Sequence, residues 1–548
     1  MLPQLITKQM KTSPLLVSII LLLFFNITFS QTIVSSYQKI SATEGNFTGP
    51  LLEGDCFGRS VCCIGDMDND GVLDIAVGAC RDDDGGLDKG AVWILFMNSD
   101  ATVKSHQKIS ELEGGFSASM TTGGVFGGGV DTIGDLNGDG VVDLVVGAEY
   151  DSDGGNWHGA IWILFMNSNG TVNGQQKISD TQGGFNADFS GSCAFGSAVE
   201  PIGDFNGDNI PDLIVGMRRD GDGGTRRGAI FIVCLNSDGT VKSHHKISNL
   251  HGNFTGVLDN EDHFGCSLAS LGDKDGDGIV DVAVGAFCDG DGGFEHGCVW
   301  ILFLEANGDV KSYKKISSTQ GGFTGILDNE DRFSHAMNSL GDYNSDGVTD
   351  IFVGAIYDGD GGYRRGAVWL VLLKTDGSVE DQYKISNTQG GFNAILDDED
   401  LFGQAVANIG DINGDGVDDL AVGAALDDDG GLNKGAVYLF FTPKQGEDED
   451  TSDVFCEEPY IFVPNAFSPD GDNINDILFV RGNVIEEMYI AIYNRWGEKV
   501  FESTNQKNGW DGRFRGEYCQ PGVFVYYLDI RCYGKKIFKK KGNITLIR

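Results

Sequence analysis

The sequence predicts an all-β protein in which a β-propeller of six four-stranded blades precedes a small β-sandwich. Two observations carry this prediction. The chain of 548 residues repeats itself at a constant interval of 69 residues, and its composition changes after residue 459. A fixed internal period of this length is typical of arrays of supersecondary units. Four short strands per unit, repeated around an axis, are typical of a propeller.

Residues 1–30 are predicted to be a signal peptide. Two lysines precede an apolar run, Leu15–Phe25, which is too short to span a bilayer. The small or polar Thr28 and Ser30 then predict cleavage before Gln31. An N-terminal membrane anchor is the alternative. No later segment is long and apolar enough to span a membrane, so we expect an exported mature chain without a transmembrane segment.

Residues 31–441 contain the repeats, and each repeat contains four predicted strands. In the first copy these are Phe57–Val61, Asp74–Ala79, Gly90–Phe96 and a segment around Lys108. β-branched and aromatic residues fill the strands, and turn dipeptides separate them. No helical periodicity competes with this pattern.

The number of blades follows from the order of the elements along the chain. A Lys-Ile-Ser tripeptide marks each fourth strand, but its first copy, at Lys39, precedes the first Phe-Gly pair. The sixth copy ends at Phe441 without a fourth strand of its own. We therefore expect the N-terminal strand to complete the last blade, which removes two exposed sheet edges. Seven blades is the alternative, and it requires a blade that the sequence does not contain.

An acidic loop follows the first strand of every repeat, with oxygen-bearing side chains at loop positions 1, 3, 5 and 9. The 24 candidate metal ligands are Asp66, Asp68, Asp70 and Asp74; Asp135, Asn137, Asp139 and Asp143; Asp204, Asn206, Asp208 and Asp212; Asp273, Asp275, Asp277 and Asp281; Asp342, Asn344, Asp346 and Asp350; and Asp411, Asn413, Asp415 and Asp419.

The pattern predicts calcium sites, about six in number and structural in role. Calcium prefers six to eight hard oxygen ligands, and alternate residues of a tight loop can face one centre. Two unit charges about 4 Å apart interact by about 4 kcal/mol at an effective dielectric constant of 20, so three or four carboxylates per loop need a cation. Glycine at position 6 permits the sharp turn, and Asn209, which replaces it once, tolerates left-handed geometry. A solvated acidic turn is the alternative.

A second acidic turn, Asp-x-Asp-Gly-Gly, follows the second strand and is expected on the opposite face. Its aspartates, a candidate partner-binding face, are Asp82, Asp84, Asp151, Asp153, Asp220, Asp222, Asp289, Asp291, Asp358, Asp360, Asp427 and Asp429. One interpretation pairs each turn with the basic residue that precedes the third strand, namely Lys89, His158, Arg227, His296, Arg365 or Lys434. The other is a ring-shaped surface for a cationic, metal-bridged or glycan partner.

The repeats resemble the FG-GAP repeats of integrin α-subunit propellers. The resemblance rests on Phe57-Gly58, the Asp66–Asp74 loop and Val77-Gly78-Ala79, which recur in this order across residues 37–441. It implies calcium binding and, more weakly, adhesion. Integrin propellers usually have seven blades with calcium in only some of them. Here six of six copies carry the loop, so integrin ligand specificity does not transfer.

Residues 442–459 form a predicted acidic linker, and residues 460–548 a predicted sorting domain. Strands are expected at Ile490–Asn494, Lys499–Phe501 and Val523–Leu528. The domain resembles the gliding-motility-associated C-terminal domain, the type B sorting domain of type IX secretion in Bacteroidetes. The matching segments are Val463–Asp472 with Asn475-Asp476, Tyr493–Glu498, Gly509–Gly512, Pro521–Tyr526 and Lys541–Arg548. The resemblance implies export through the type IX secretion machinery to the outer-membrane exterior or the medium.

The composition narrows the class of function. Asp and Glu number 81 against 39 Lys and Arg, giving a net charge of −42, and a nucleic-acid ligand would need a basic footprint. The leading hypothesis is a secreted or surface-displayed calcium-binding module with an unknown extracellular protein or glycan ligand, and with an adhesive role. An enzyme acting on polysaccharide and a passive surface structural protein are the alternatives. No catalytic residue is predicted, because no blade carries an insertion that breaks the interval.

Overall fold

The computed structural model describes residues 33–189, 191–443, 461–469, 477–481, 485–532 and 537–547. The described residues contain strands and turns but no helix, so the protein is all-β as predicted. The chain divides into two compact units, Met1–Lys444 and Gln445–Arg548. The predicted signal peptide and most of the predicted linker lie outside the described residues.

The first unit consists of six four-stranded antiparallel sheets. Its strands are β1 Ser36–Ser41; β2 Phe57–Gly65, β3 Asp74–Ala79, β4 Ala91–Met97 and β5 Val103–Ile109; β6 Gly129–Gly134, β7 Asp143–Ala148, β8 Ala160–Met166 and β9 Val172–Ser179; β10 Phe195–Gly203, β11 Asp212–Met217, β12 Ala229–Leu235 and β13 Val241–Ser248; β14 Leu268–Gly272, β15 Asp281–Ala286, β16 Cys298–Leu304 and β17 Val310–Ile316; β18 Phe333–Gly341, β19 Asp350–Ala355, β20 Ala367–Leu373 and β21 Val379–Ser386; and β22 Phe402–Gly410, β23 Asp419–Ala424 and β24 Ala436–Phe441.

The N-terminal strand closes the ring. Strand β1 pairs antiparallel with β24, from Ser36 opposite Phe441 to Ser41 opposite Ala436, and so completes the sheet of β22, β23 and β24. The first and last strands of the propeller segment thus pair within one sheet. The prediction of six blades is confirmed, and the described residues form no seventh.

The blades pack through apolar side chains that the sequence repeats. The first strand of each blade lies innermost, where β2 contacts both β6 and β22. Between the last and first blades, Phe47, Phe57 and Trp93 from one side meet Ile409 and Val437 from the other in one buried cluster. A comparable cluster fills each of the other five junctions between neighbouring blades. Burial of this apolar surface is the main force that holds the ring together.

Glycine is required where neighbouring blades touch. The backbone of Gly90, which precedes strand β4, bridges to Phe126 of the next blade. A Cβ atom at Gly90 would lie 2.0 Å from the Phe126 carbonyl oxygen, and the φ angle of Gly90 is +89°. The repeated Phe-Gly pair and the repeated glycine before the third strand are therefore two halves of one junction.

The second unit is a five-stranded sheet with a two-stranded ribbon. The sheet runs in the order β25, β31, β30, β26, β27, and β28 pairs with β29. The strands are β25 Ala466–Phe467, β26 Ile485–Tyr493, β27 Lys499–Ser503, β28 Arg513–Phe514, β29 Glu517–Tyr518, β30 Gly522–Cys532 and β31 Ile537–Leu546. Trp510, Leu528 and Ile544 are at most 1% exposed in its core.

Candidate functional site

The predicted acidic loops connect the first and second strands of every blade, and the backbone wraps around their first aspartate. The Asp66 carboxylate accepts hydrogen bonds from the backbone N–H groups of Asp70 and Gly71, both at 2.9 Å. Position 6 is left-handed in every copy, including Asn209 with a φ angle of 65°. The substitution of asparagine for glycine there is thus tolerated as the sequence analysis expected.

The aspartate at position 9 anchors each loop. Asp74 is 1% exposed, and its carboxylate accepts hydrogen bonds from the backbone N–H groups of Met67 and Met97. The equivalent aspartates of the other five loops accept the same pair of backbone hydrogen bonds. Burial raises the pKa of Asp74 to about 6, against the opposing effect of these hydrogen bonds. A cation beside the loop would favour the charged form.

Carboxylate oxygens converge most closely in the first and fourth loops. Among the described residues, ligand atoms lie within 4.8 Å of one another in the set Asp66, Asp68 and Asp70 and in the set Asp273, Asp275 and Asp281. These loops are the two copies with aspartate rather than asparagine at position 3. The Asp68 Oδ1 atom is buried and has no hydrogen-bond partner in the part of the chain that the structure describes. An orphaned carboxylate oxygen within such a set fits a hard cation.

A lysine ammonium group contacts the loop carboxylates in three of the six loops. Lys104 Nζ lies 2.6 Å from both Asp68 Oδ2 and Asp70 Oδ2. Lys311 Nζ bridges Asp275 and Asp277 in the same way, and Lys242 contacts Asp208. The equivalent residues of the second, fifth and sixth blades are Asn173, Glu380 and Ser35. The six loops are therefore alike in ligand set but differ in whether the protein supplies a counter-charge.

The Asp-x-Asp turns lie at the opposite ends of the strands, and the Lys-Ile-Ser lysine of the same blade binds both aspartates. Lys108 Nζ lies 2.6 Å from Asp82 Oδ2 and 2.7 Å from Asp84 Oδ2. The five remaining blades repeat the pairing with Lys39, Lys177, Lys246, Lys315 and Lys384. In every blade the serine of the tripeptide also donates a hydrogen bond to the second aspartate.

This arrangement corrects the interpretation that paired each turn with the basic residue before the third strand. That residue instead reaches the long loop after the fourth strand: Lys89 binds Glu111, His158 binds Asp180, and Arg365 binds Asp398. The first aspartate of each turn is 1–3% exposed and is held by its lysine. Only the second aspartates, with side chains 20–32% exposed, retain an accessible edge on the candidate partner-binding face.

An aromatic ring completes each of these ion pairs. Lys108 Nζ lies 5.5 Å from the centroid of Trp93, and the ring at this position of strand three is under the lysine in every blade. Burial lowers the pKa of Lys108, but its hydrogen bonds to Asp82 and Asp84 outweigh burial and hold the pKa above its ordinary value. Trp93 is 1% exposed, so core packing rather than ligand stacking is its role.

The sequence analysis missed a cavity on the propeller axis. A space of about 400 Å³ is lined by residues from all six blades, and Arg59, Arg81, Arg218 and Arg332 supply its charged surface with Glu149. The sequence does mark this cavity, but it does so through residues that differ from one repeat to the next. The residue two positions after the repeated phenylalanine differs in all six copies: Arg59, Gly128, Ser197, Cys266, His335 and Gln404.

Comparisons with known proteins agree with this architecture. A profile of the FG-GAP repeat matches residues 402–440, and the CHU_C Type IX secretion signal domain matches residues 461–546. The chain is an FG-GAP-repeat β-propeller that carries a type IX secretion signal domain. That domain marks the chain for export to the cell surface or the medium. Within the described residues, no helix has the length and apolarity needed to cross a bilayer.

The similar curated proteins include integrin α-subunits. Integrin alpha-PS2 of Drosophila melanogaster is 32% identical over 231 residues, covering 41% of this chain and 15% of the integrin. Integrin alpha-3 of Cricetulus griseus is 32% identical over 200 residues, covering 36% of this chain and 17% of the integrin. The matched regions are thus 15–17% of the length of these relatives.

One similar solved structure is the extracellular domain of a putative hybrid two-component system from B. thetaiotaomicron. It is 10% identical, covers 93% of this chain and 57% of its own, and superposes with a TM-score of 0.33. A score this low carries no argument about this chain.

Proposed function

We propose that the protein is a calcium-stabilised binding module, displayed at the cell surface or released, that attaches to an extracellular protein or glycan. The observation that carries the calcium assignment is the position of Lys104 Nζ, 2.6 Å from two carboxylates of one loop. An ammonium ion of the protein itself occupies the place where a cation relieves the repulsion between carboxylates. Three loops have no such lysine, and their carboxylates depend on an ion from solution.

The loop oxygens suit calcium better than zinc or magnesium. Carboxylate, amide and backbone oxygens of flexible loops are the ligands that calcium prefers, whereas zinc selects nitrogen and sulfur ligands. When bound, calcium supplies positive charge and cross-links residues of one loop. The residues of this chain hold the loop ready: position 9 fixes both loop ends to the sheet, and position 1 gathers the backbone N–H groups.

The calcium proposal is tested by titrating the full chain, stripped with a chelator, in an isothermal calorimeter. We expect about six sites with dissociation constants of about 0.1–1 mM, as in other extracellular modules. Asp139→Asn in the second loop should remove one site, and Asp84→Asn at the opposite face should remove none. No heat at millimolar calcium would contradict the proposal.

The binding role is tested on arrays of glycans and matrix proteins, with calcium and with chelator. Retention that requires calcium, without chemical change of the retained ligand, is the expected result. Adhesion is a separate measurement, in which beads coated with the protein should attach to a surface that carries the retained ligand. Turnover of any glycan would instead support the alternative hypothesis, an enzyme that acts on polysaccharide.

The export route has its own test. Removal of residues 460–548 should leave the protein in the periplasm, whereas the intact chain reaches the surface or the medium. A reporter that carries the same N-terminal segment and residues 460–548 should follow the intact chain. Normal surface display of the truncated chain would contradict the sorting role.

A further inference from the structure

Basic side chains gather around the axial cavity of this acidic propeller. Its lining contains four arginines, Arg59, Arg81, Arg218 and Arg332, against the single carboxylate of Glu149. The whole chain carries a net charge of −42, so this local excess of positive charge runs against the composition. Its volume of about 400 Å³ falls in the range of sites for small molecules.

Two of the four arginines already have partners. Arg218 Nε lies 2.7 Å from Glu149 Oε2, and Arg332 is bound by Glu295 at 2.7 Å. Among the residues that the structure describes, the guanidinium groups of Arg59 and Arg81 have neither a salt bridge nor a side-chain hydrogen bond. The paired arginines therefore form fixed walls, and Arg59 and Arg81 present unused donors to the cavity. Guanidinium donors in such a position match the oxygens of a carboxylate or sulfate.

A histidine, His335, also lines the cavity, together with the polar side chains of Ser197 and Gln404. Burial lowers the pKa of His335, and the positive charges of Arg59, Arg218 and Arg332 lower it further. The Nδ1 atom of His335 is buried and, within the described residues, has no hydrogen-bond partner. Arg59, Arg218, Arg332 and His335 line the same cavity, so the three arginines and this ring surround one space. An anion at that centre would be attracted by them and could accept or donate a hydrogen bond at His335.

The cavity can also orient what it binds, because it does not share the symmetry of the ring. The six residues at the Arg59 position all differ, although the phenylalanine two residues earlier is the same in every copy. Aromatic rings stand on particular sides of the cavity: Tyr150 packs under Arg218, and Tyr357 lies 4.4 Å below Arg332. A ligand with one charged group and one apolar face has a single favoured orientation in such a site.

We propose that the axial cavity is a binding site for a small organic anion, whose carboxylate or sulfate group is held by Arg59 and Arg81. The site does not use the calcium loops, so it goes beyond the proposed function and stands without it. Neutral sugars lack the charged group that the two free guanidinium groups recognise. The binding residues are Arg59 and Arg81, and Arg218 and Arg332 position the walls through their own ion pairs.

The experiment uses the full chain in low-salt buffer with calcium, and calorimetric titration with sodium glucuronate, glucose and sodium sulfate. Glucuronate and glucose share a sugar ring, so their difference measures the carboxylate. Sulfate shows whether the site requires a planar carboxylate or accepts any oxyanion. We expect saturable binding of at least one of the anions and none of glucose.

The variants Arg59→Gln and Arg81→Gln should each weaken the anion by about tenfold or more. Arg226→Gln is the matched control, because Arg226 lies on the same face, pairs with Glu261 at the surface and does not line the cavity. Circular-dichroism melting of every sample shows whether the propeller is folded, so the loss of anion binding by an unfolded variant is distinguished from the loss of a binding group. Absence of binding by both anions to the folded chain, or equal binding to the double variant Arg59→Gln/Arg81→Gln, would overturn the proposal.

Discussion

The two ends of each blade carry acidic turns of similar charge, but they differ in where the compensating charge comes from. At the Asp-x-Asp end, a buried lysine under 3 Å from an aspartate is present in all six blades. At the loop end, a lysine reaches the carboxylates in three blades, and Asn173, Glu380 or Ser35 takes its place in the others. At the first end, residues of the chain supply the compensating charge in all six blades, whereas at the second end they do so in three. Acidity alone therefore does not distinguish the two ends, but the position of the nearest lysine does.

The largest expected effect is the loss of thermal stability when calcium is removed. A ligand that binds only the folded state stabilises it according to its concentration relative to the dissociation constant, and six sites add their contributions. We expect chelation to lower the Tm by about 10 °C or more, measured by differential scanning calorimetry of the full chain. Magnesium at the same concentration is the control and should restore little of the loss. An unchanged Tm would mean that neither end of the blade needs calcium for its stability.

The second prediction concerns the separate replacement of two lysines of one strand, each near a different end of the blade. Lys104 and Lys108 are both residues of β5, four positions apart, and they contact the loop and the Asp-x-Asp turn respectively. Lys108→Met removes the counter-charge of Asp82 and Asp84, of which Asp82 is buried, and should cost about 3–5 kcal/mol in the free energy of unfolding. Lys104→Met should cost nothing measurable in calcium, because the ion replaces the ammonium group. Chemical denaturation in calcium measures both.

If Lys108→Met proved as mild as Lys104→Met, the two ends would not differ in the way described. If both variants were severe in calcium, the ammonium group of Lys104 would be a permanent part of the loop rather than a stand-in for the ion.

Much of the propeller could be predicted because each blade repeats the same strands and turns. Strand β3 has the predicted bounds, and the pairing of β1 with β24 follows from the position of Lys39 before the first Phe-Gly pair. The partner of the Asp-x-Asp turn could not be predicted in the same way. Two basic residues recur in every repeat, and only the sheet register places Lys108 rather than Lys89 beside Asp82.

The axial cavity shows a different limit of sequence reasoning. Repetition identifies residues that hold the blades together, whereas a site on the axis is used once and is built from positions that differ between copies. Arg59 and His335 occupy equivalent positions in two blades and meet only when the ring closes. Positions that lose their repetition next to an otherwise invariant phenylalanine were therefore the informative ones.

The third prediction concerns the difference between loops with and without a lysine. Lys104→Gln should raise the calcium affinity of the first loop by about tenfold, because the ion no longer displaces an ammonium group. The reverse change, Asn173→Lys, should lower the affinity of the second loop. Calorimetric titration of each variant against the parent chain measures both shifts. Affinities that stay equal in both variants would show that the lysines do not compete with the ion.

The smallest expected effect is in the fifth loop, where Glu380 stands at the position of Lys104. Glu380 lies close to Asp346, so this loop gathers an additional carboxyl group instead of a counter-charge. Glu380→Gln should lower the calcium affinity of the loop by about threefold, because one source of negative charge is lost while an oxygen ligand remains. Asp381→Asn is the matched control, since Asp381 is the neighbouring carboxylate of β21 and its side chain binds Tyr383 instead. Equal losses in the two variants would indicate a general effect of surface charge, and a loss confined to Glu380→Gln would place that carboxyl group among the determinants of calcium affinity.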